Sequence, residues 1–415
     1  MNIRIEVPMK HPARWLFSLF FLWLVLTPVN TAGETNSPSD DVFPLLPGLE
    51  KAVDFWKRIF VEYSLSQVVF FDPLDMSKIY DVLDVGEENR PQTYFDAERA
   101  RIAAAHNVDV ERVRAQRGIK ERTIAGLKRS GRYMRHIEQV FRDKNLPVEL
   151  GYLPLVESSF DINARSSVGA TGMWQFMRAT GKEFRLRIDR VIDERKDPLE
   201  STRAAAALLE QNYQLLGNWP LALTAYNYGS GGIARAVAEI QSDNLVDLIQ
   251  NYNHRYWGFA AKNFYAEFLA AVEVARNVDQ YFPGLEVHPA ITIREVELRR
   301  GSSLVSLANS TGLTRDQFLE WNPALSQGMK VVPAGYRVKL PAEGKVRPIV
   351  EVAQHQPQPE KQQAPQVVRH RVKRGETVLQ IAKRYGASVD RIIQVNGLRK
   401  AHLLQVGMTL LVPKI

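Results

Sequence analysis

Residues 153–176 read LPLVESSFDINARSSVGATGMWQF, and the rest of the chain is arranged around this stretch. It places one carboxylate, Glu157, directly after an apolar run and ahead of a loop that contains serine, glycine and tryptophan. A carboxyl group with apolar neighbours loses hydration of its charged form, so its pKa rises and it stays protonated near neutral pH. A general acid needs that state. Taken alone, such a residue is more often an ordinary surface or helix-terminal glutamate than a catalytic acid, because most charged side chains are simply solvated.

The surrounding sequence predicts helices. Between 122 and 145, apolar residues recur three, four and seven positions apart, as on an amphipathic helix. Pro147 ends this helix and suits the first turn of a short helix whose far end carries Glu157, where the helix dipole also opposes ionisation. Further helical patterns cover 198–216, 220–226, 232–241 and 256–277, and no run between 120 and 280 alternates as a strand does. The sequence therefore predicts a mainly α-helical core.

Three motif blocks follow one another in this core. The first is Glu157-Ser158 and the last is Ala225-Tyr226-Asn227 with Gly229. The middle block consists of Ala164, Ser166, Gly169-Ala170, Gly172 and Trp174-Gln175. In this order the blocks resemble the lytic transglycosylases that have a soluble-transglycosylase-type, lysozyme-like domain. The resemblance implies such a catalytic domain at 119–282.

The resemblance also implies a mechanism that needs a single carboxylate. In that family, the glutamate protonates the bond between N-acetylmuramic acid and N-acetylglucosamine, and then takes the proton of the muramyl 6-hydroxyl. That hydroxyl closes a 1,6-anhydro ring, so no water is consumed. These catalytic roles transfer to Glu157. A water-using muramidase on the same fold is the alternative, with Asp161 or an unseen carboxylate assisting, although Asp161 in DINARSS reads as a turn or capping residue. A non-catalytic wall-binding scaffold is the third possibility.

Substrate-binding roles are implied for five residues. Ser166 matches a serine that positions substrate, although alone it reads as a loop serine. Gln175 is suited to a sugar acetamido group. Tyr226 and Asn227 match subsite residues, with a buried tyrosine and an asparagine turn as the alternative. Tyr265, in the segment KNFYAEFLAA, matches a late family tyrosine, although a shift of one position would select Phe264.

Four other residues in or next to the middle block are expected to have structural roles. For Trp174 and Phe176 a core position is the default, and Gly169 and Gly172 are expected to permit a turn or a close backbone approach.

The C-terminal part contains an internal repeat. Residues 301–312 match 375–386 at an offset of 74, and the match continues without a gap to Asn322 and Asn396. Each unit reads strand, helix, helix, strand, with Gly312 or Gly386 ending the first helix. The units resemble LysM modules, so we expect two βααβ LysM modules: a degenerate one at 290–341 and a second at 367–415. The Pro- and Gln-rich segment 342–366 is predicted to be a flexible linker that leaves the two modules independent.

Composition excludes several classes of function. The 415-residue chain has no cysteine, which excludes disulfides, thiolate metal sites and a lipoprotein anchor. Its net charge of +8 equals the balance of ten basic and two acidic residues from Arg369 onward. A near-neutral body argues against nucleic-acid binding, and the basic module suits a polyanionic surface. We expect peptidoglycan glycan strands as the partner, no cofactor or metal, and no obligate protein partner.

The N-terminus predicts export. Arg4, Lys10 and Arg14 precede the apolar run 15–26, the layout of a signal peptide at 1–33. The expected location is the periplasm or cell envelope, and the alternative is an uncleaved anchor that associates with the envelope membrane. Residues 34–118 are expected to form a helical N-terminal region around the core. Within it, the run 98–120 reads as a helix with buried positions at Val108, Val110 and Val113.

Overall fold

The computed structural model describes residues 42–88, 90–342, 352–353, 367–373, 375–389, 392–393, 396 and 406–413. Its contacts divide the chain into Met1–Pro44 and Leu45–Ile415, and all the elements below belong to the second unit. The predicted signal peptide lies outside the described residues, as does nearly all of the predicted linker. Within the described residues, no helix combines the length and the apolar character needed to cross a membrane.

Helices dominate the described residues. They are α1 (Glu50–Val61), α2 (Gln92–His106), α3 (Lys120–Asp143), α4 (Leu153–Ser158), α5 (Arg178–Glu183), α6 (Pro198–Leu216), α7 (Trp219–Tyr228), α8 (Ser230–Ile240), α9 (Leu245–Asn251), α10 (Phe259–Arg276), α11 (Val278–Tyr281), α12 (Leu304–Thr311), α13 (Arg315–Trp321) and α14 (Val378–Tyr385). The strands are β1 (Gln67–Asp72), β2 (Asp75–Asp84), β3 (Arg114–Arg117), β4 (Ile293–Leu298), β5 (Ser302–Ser303), β6 (Val331–Val332), β7 (Arg337–Pro341), β8 (Val352–Ala353), β9 (Val367–Arg371) and β10 (Thr409–Pro413).

The N-terminal region is not the helical region that the sequence predicts. Its centre is an antiparallel sheet with the strand order β2-β1-β3. The run QVVFFD of β1 is rich in β-branched and aromatic side chains and is buried on both faces, so it forms the central strand. The predicted helix 98–120 is also wrong after residue 106, because α2 ends there and Asn107 adopts the left-handed conformation. Val113 is buried as expected, whereas Val110 is exposed.

The helical prediction for 120–280 is confirmed. The predicted helix 122–145 corresponds to α3, and the predicted 198–216 coincides with α6. Asp197 caps α6 by accepting hydrogen bonds from the amides of Leu199 and Glu200, and Pro198 fills its first turn. After Pro147, the short 3-10 helix Val148–Tyr152 leads directly into α4. Glu157 therefore lies at the end of a short helix, as predicted.

The two repeat units share their internal construction. Gly312 and Gly386 end α12 and α14 in the left-handed conformation, which confirms both predicted caps. In the first unit, Asn322 exchanges hydrogen bonds of 2.8 and 2.9 Å with the main chain of Lys339 in the closing strand. In the second, Asn396 makes the same pair of bonds, both 2.7 Å, to Leu411. The repeated asparagine thus ties its helix to the closing strand in both units.

The prediction that the first unit is an independent module is wrong. Ile192, from the helical body, packs within the apolar core of this unit, and the amide of Asp193 donates to the carbonyl of Ala324 at 2.8 Å. Lys339 forms buried ion pairs with Asp197 and Glu200. The first unit therefore shares an apolar core and buried ion pairs with the helical body. In addition, β8 from the predicted linker pairs with β4.

Candidate active site

Glu157 is held against an apolar wall. It ends α4, whose residues Leu153, Pro154 and Leu155 are buried. Gly126 of α3 allows α4 to approach closely, because a Cβ there would lie 2.8 Å from Leu155 Cδ1. Loss of hydration raises the pKa of Glu157 to about 8. The carboxyl group is therefore predominantly protonated at neutral pH, as the sequence predicts.

The turn after Glu157 has a strained backbone that hydrogen bonds from an arginine hold in place. Ser159 and Phe160 both have positive φ angles, 51° and 57°, which side chains with a Cβ adopt only at a cost. The guanidinium of Arg129 donates two hydrogen bonds to the carbonyl of Ser159, at 2.6 and 3.0 Å. Phe160 is fully buried. Burial of Phe160 and the Arg129 clamp hold a backbone shape that turns the chain sharply beside Glu157.

Hydrogen bonds join the three motif blocks. The hydroxyl of Ser158 donates to the carbonyl of Met173 at 2.8 Å. The phenol of Tyr226 donates to the carbonyl of the next residue, Trp174, at 2.7 Å. The middle block thus connects α4 with α7, and the structure brings together the three parts of the chain that the sequence pattern singles out.

The middle block forms a tight loop that occupies its own polar groups. Ser166 Oγ accepts from the amide of Ala170 at 3.0 Å, and Gln175 donates its side-chain amide to the carbonyl of Gly172 at 2.8 Å. Both side chains are partly exposed. Gly172 has a φ of 81°, and a Cβ there would lie 1.8 Å from the carbonyl oxygen of Arg195. The loop therefore has the turn and the close backbone approach that its glycines were expected to permit.

The other three predicted substrate-binding residues differ in how deeply their side chains are buried. Tyr226 is partly buried next to Glu157; burial and then the Glu157 charge raise the pKa of its phenol well above the usual range. Asn227 is exposed at the end of α7. Tyr265 is fully buried in α10, which makes it a less accessible substrate ligand than the sequence suggests. The structure therefore brings Tyr226 to Glu157 and leaves the substrate roles of all five residues as predictions.

Two expectations of ordinary structural roles are confirmed. Trp174 is fully buried and donates its indole N–H to Thr202 Oγ1 at 3.0 Å, and Phe176 is only 2% exposed. Both are therefore core residues and not a sugar platform. Asp161 accepts a hydrogen bond from the amide of Asn163 at 2.8 Å, which is the turn role that its sequence context indicates.

Glu267 is a residue that the sequence interpretation missed. It lies on α10, which packs against α4, and it is close enough to Glu157 for the two carboxyl groups to interact electrostatically. Burial, and then the Glu157 charge, raise the pKa of Glu267 to about 8. The available signal was a single charged residue within the apolar segment 264–272.

Within the described residues, no cluster of histidine, aspartate or glutamate could hold a metal ion.

Comparison with known proteins identifies two domains. The family described as "Transglycosylase SLT domain" matches residues 136–245, which include Glu157 and the three blocks, and "LysM domain" matches residues 370–413. The chain therefore carries a transglycosylase SLT domain and a LysM domain. The first repeat unit lies outside both of these matches.

Relatives span part of the chain. Membrane-bound lytic murein transglycosylase D of Escherichia coli (strain K12) is 26% identical over 288 residues, which cover 65% of this chain and 61% of that protein. The putative tributyltin chloride resistance protein of Alteromonas sp. (strain M-1) is 37% identical over 111 residues, 26% of this chain and 54% of that protein. The chain thus spans about three-fifths of the length of its murein transglycosylase relative, to which it is homologous.

Two solved structures resemble a smaller part. The soluble lytic transglycosylase SLT70 of Escherichia coli has a TM-score of 0.31 at 20% identity, covering 37% of this chain and 25% of that one. An inactive mutant of lytic transglycosylase Slt from Pseudomonas aeruginosa has a TM-score of 0.30 at 21% identity, with the same coverage.

Proposed function

We propose that this protein is a peptidoglycan lytic transglycosylase. It cleaves the MurNAc-β-1,4-GlcNAc bond and leaves 1,6-anhydroMurNAc ends. The observation that carries the proposal is the protonated Glu157 at the end of α4, joined by hydrogen bonds to the other two motif blocks. The transglycosylase SLT domain over residues 136–245 supports it.

Glu157 performs two proton transfers in turn. Its protonated carboxyl gives a proton to the glycosidic oxygen as that bond breaks, and the developing positive charge lies on the anomeric carbon. The carboxylate then takes the proton of the muramyl 6-hydroxyl while the hydroxyl oxygen bonds to the anomeric carbon. Glu157 returns to its protonated state. The bond cleavage and the ring closure together consume no water and require no metal or other cofactor.

The residues around Glu157 position the sugar chain in this proposal. Tyr226 fixes the loop at Trp174 and lies beside the acid. Ser166, Gln175 and Asn227 contribute polar contacts to the glycan. Tyr265 acts from within the core of α10, so its contribution is to hold the helix that forms one side of the site.

A water-using muramidase is the second candidate, and Glu267 is the observation that favours it. A second carboxylate near the acid is what a hydrolase uses to activate water or meet the anomeric carbon. Such a role requires an ionised group, however, and burial keeps Glu267 largely protonated at neutral pH. Since a neutral carboxyl group cannot serve as a base, the arrangement favours the anhydro mechanism.

The mass of the products tests the proposal. Purified protein is incubated with sacculi, and the released fragments are analysed by mass spectrometry. Fragments that are one water lighter than reducing-end fragments are expected. Reducing ends would instead establish the muramidase, and a failure to release any fragment would establish a non-catalytic wall-binding scaffold.

We also propose a role for each part of the chain. Residues 119–282 form the catalytic domain, 290–341 form a degenerate LysM unit fixed to it, 342–366 form the linker and 367–415 form the wall-binding LysM module. The LysM domain at 370–413 supports the last assignment. Residues 45–118, which contain the sheet and helices α1 and α2, pack on the catalytic domain where α1 contacts α10.

The proposed location is the periplasm or cell envelope. The charged start and the apolar run 15–26 support export, and the murein transglycosylase relative is described as membrane-bound. N-terminal sequencing of the exported protein tests this proposal. Loss of residues 1 to about 33 is expected. An intact Met1 on membrane-associated protein would establish an uncleaved anchor.

A further inference from the structure

The N-terminal region contains an arginine-lined cavity that the proposed chemistry does not use. Its volume is about 430 Å³, within the range of small-ligand pockets. Apolar side chains, including Phe95, form part of its wall, and Glu111 is the one acidic residue among the described residues that line it. Four arginines also line it: Arg90, Arg99, Arg114 and Arg117. The lining is therefore strongly cationic with an apolar part.

Two of these arginines are held in place by hydrogen bonds to main-chain oxygens. Arg99 donates to the main-chain oxygens of Val113 and Val110, at 2.6 and 3.1 Å. Arg117 donates to the carbonyl of Gly86 at 2.8 Å and also to that of Leu65. These bonds fix both guanidinium groups in the cavity wall, so part of the positive charge is preorganised.

Arg114 is held differently. Its guanidinium carbon lies 4.0 Å from the centroid of the Phe259 ring, and the described part of the chain offers it neither a carboxylate partner nor a hydrogen-bond acceptor. Burial and the neighbouring Arg99 lower its pKa. Arg90 makes a single long hydrogen bond, 3.3 Å, to the carbonyl of Val85. Arg114 and Arg90 therefore keep donors for a ligand, and like charges nearby make an anion favourable.

The cavity is connected to the active site through α10. Phe259, on which Arg114 stacks, is the first residue of that helix, and Glu267 is eight residues further along it. At a rise of 1.5 Å per residue, the two positions are about 12 Å apart along the helix axis. The arginine-lined cavity therefore lies beside the N-terminal end of the helix that carries Glu267.

We propose that the arginine-lined cavity binds a carboxylate of the peptide that the glycan substrate carries. The identity of the substrate rests on the proposed function. A guanidinium fork pairs with a carboxylate in bidentate geometry, and the partly exposed ring of Phe95 suits the aliphatic part of a peptide. A bare phosphate would leave that apolar wall unused. The cavity thus selects glycan strands that keep their peptides.

Cleavage assays with two matched substrates test this inference. Peptide-bearing glycan strands and the same strands stripped of peptide are compared for wild type, for Arg90→Gln/Arg114→Gln, and for the control Arg190→Gln/Arg299→Gln at two exposed arginines elsewhere. Wild type and control are expected to have the lower KM on peptide-bearing strands. The cavity variant should raise that KM about tenfold, as loss of a charge-assisted hydrogen bond does, and leave the KM on stripped strands unchanged. Equal changes on both substrates, or none, would overturn the inference.

Calorimetry separates this inference from the proposed function. The free stem peptide is titrated into full-length wild type and into the cavity variant, with inorganic phosphate as a second probe. Peptide binding that disappears in the variant supports the cavity even if neither strand is cleaved, in which case only the proposed function fails. Phosphate binding as strong as peptide binding, or peptide binding unaffected by the variant, would overturn the inference. Thermal unfolding of the cavity variant, compared with wild type and with Arg114→Lys, which keeps the charge, verifies that a loss of binding is not a loss of fold.

Discussion

Lys339 Nζ lies 2.8 Å from Asp197 Oδ2, and neither side chain is more than 2% exposed. Lys339 belongs to the closing strand of the first repeat unit, and Asp197 caps α6 of the helical body. Burial alone would lower the pKa of Lys339, but Asp197 and Glu200 raise it, so the ammonium stays charged. Arg203, Arg337 and Glu295 complete a network of three cations and three anions. These buried charges thereby attach the first repeat unit to the helical body.

Breaking this network should destabilise the protein. Lys339→Met leaves Asp197 and Glu200 as buried carboxylates without their main partner, a change that costs about 3–5 kcal/mol. Thermal unfolding should show a lower midpoint than wild type. Lys330→Met, at an exposed lysine of the same unit, is the control and should change little. An unchanged midpoint for Lys339→Met would show that the first unit is not fixed through these charges.

Replacing the proposed acid should remove activity and keep wall binding. Glu157→Gln preserves shape and removes the transferable proton, and general acid catalysis contributes about 10²–10⁴-fold. The expected rate on sacculi is therefore below about a hundredth of wild type. Glu183→Gln, at an exposed glutamate, should retain full activity. Higher residual activity in Glu157→Gln would mean that another residue is the acid.

The raised pKa of Glu157 also predicts a pH-dependent change in stability. Between the ordinary value of 4.5 and about 8, the native protein keeps a proton that the unfolded chain has released. Stability therefore falls as pH rises through this window. Glutamine does not ionise, so Glu157→Gln should gain unfolding temperature relative to wild type between about pH 4 and pH 9. The same difference at both pH values would contradict the burial of Glu157, and Glu183→Gln again serves as the control.

The C-terminal LysM domain should act through local concentration. A chain ending at residue 366 keeps β8 and the first unit, and it loses the basic module. It should bind sacculi less tightly and keep its turnover on short soluble glycans, because a tethered module adds effective concentration and not a catalytic group. If charge dominates, the loss should shrink between 0.1 M and 1 M salt, as the Debye length falls from about 10 to about 3 Å. Equal sacculus binding by both proteins would exclude the targeting role.

The sequence predicts the features that local interactions determine. Pro198 and Asp197 specify the start of α6, and Gly312 and Gly386 specify helix ends, because caps depend on a few neighbouring residues. Glu267 was missed because it approaches Glu157 only when α10 packs against α4, a contact between distant parts of the chain. The Lys339 network was missed for the same reason. The central strand β1 was read within a helical region because a short buried strand has no polar alternation.

Cleavage in ¹⁸O-labelled water tests the central claim most directly. If the muramyl 6-hydroxyl, deprotonated by Glu157, closes the ring, the fragments released by wild type carry anhydro ends and no ¹⁸O. Glu267→Gln should give the same unlabelled products, since Glu267 has no role in activating water in this account. One ¹⁸O atom at each new muramyl end, lost in Glu267→Gln, would contradict the account and identify a hydrolase that uses both carboxyl groups.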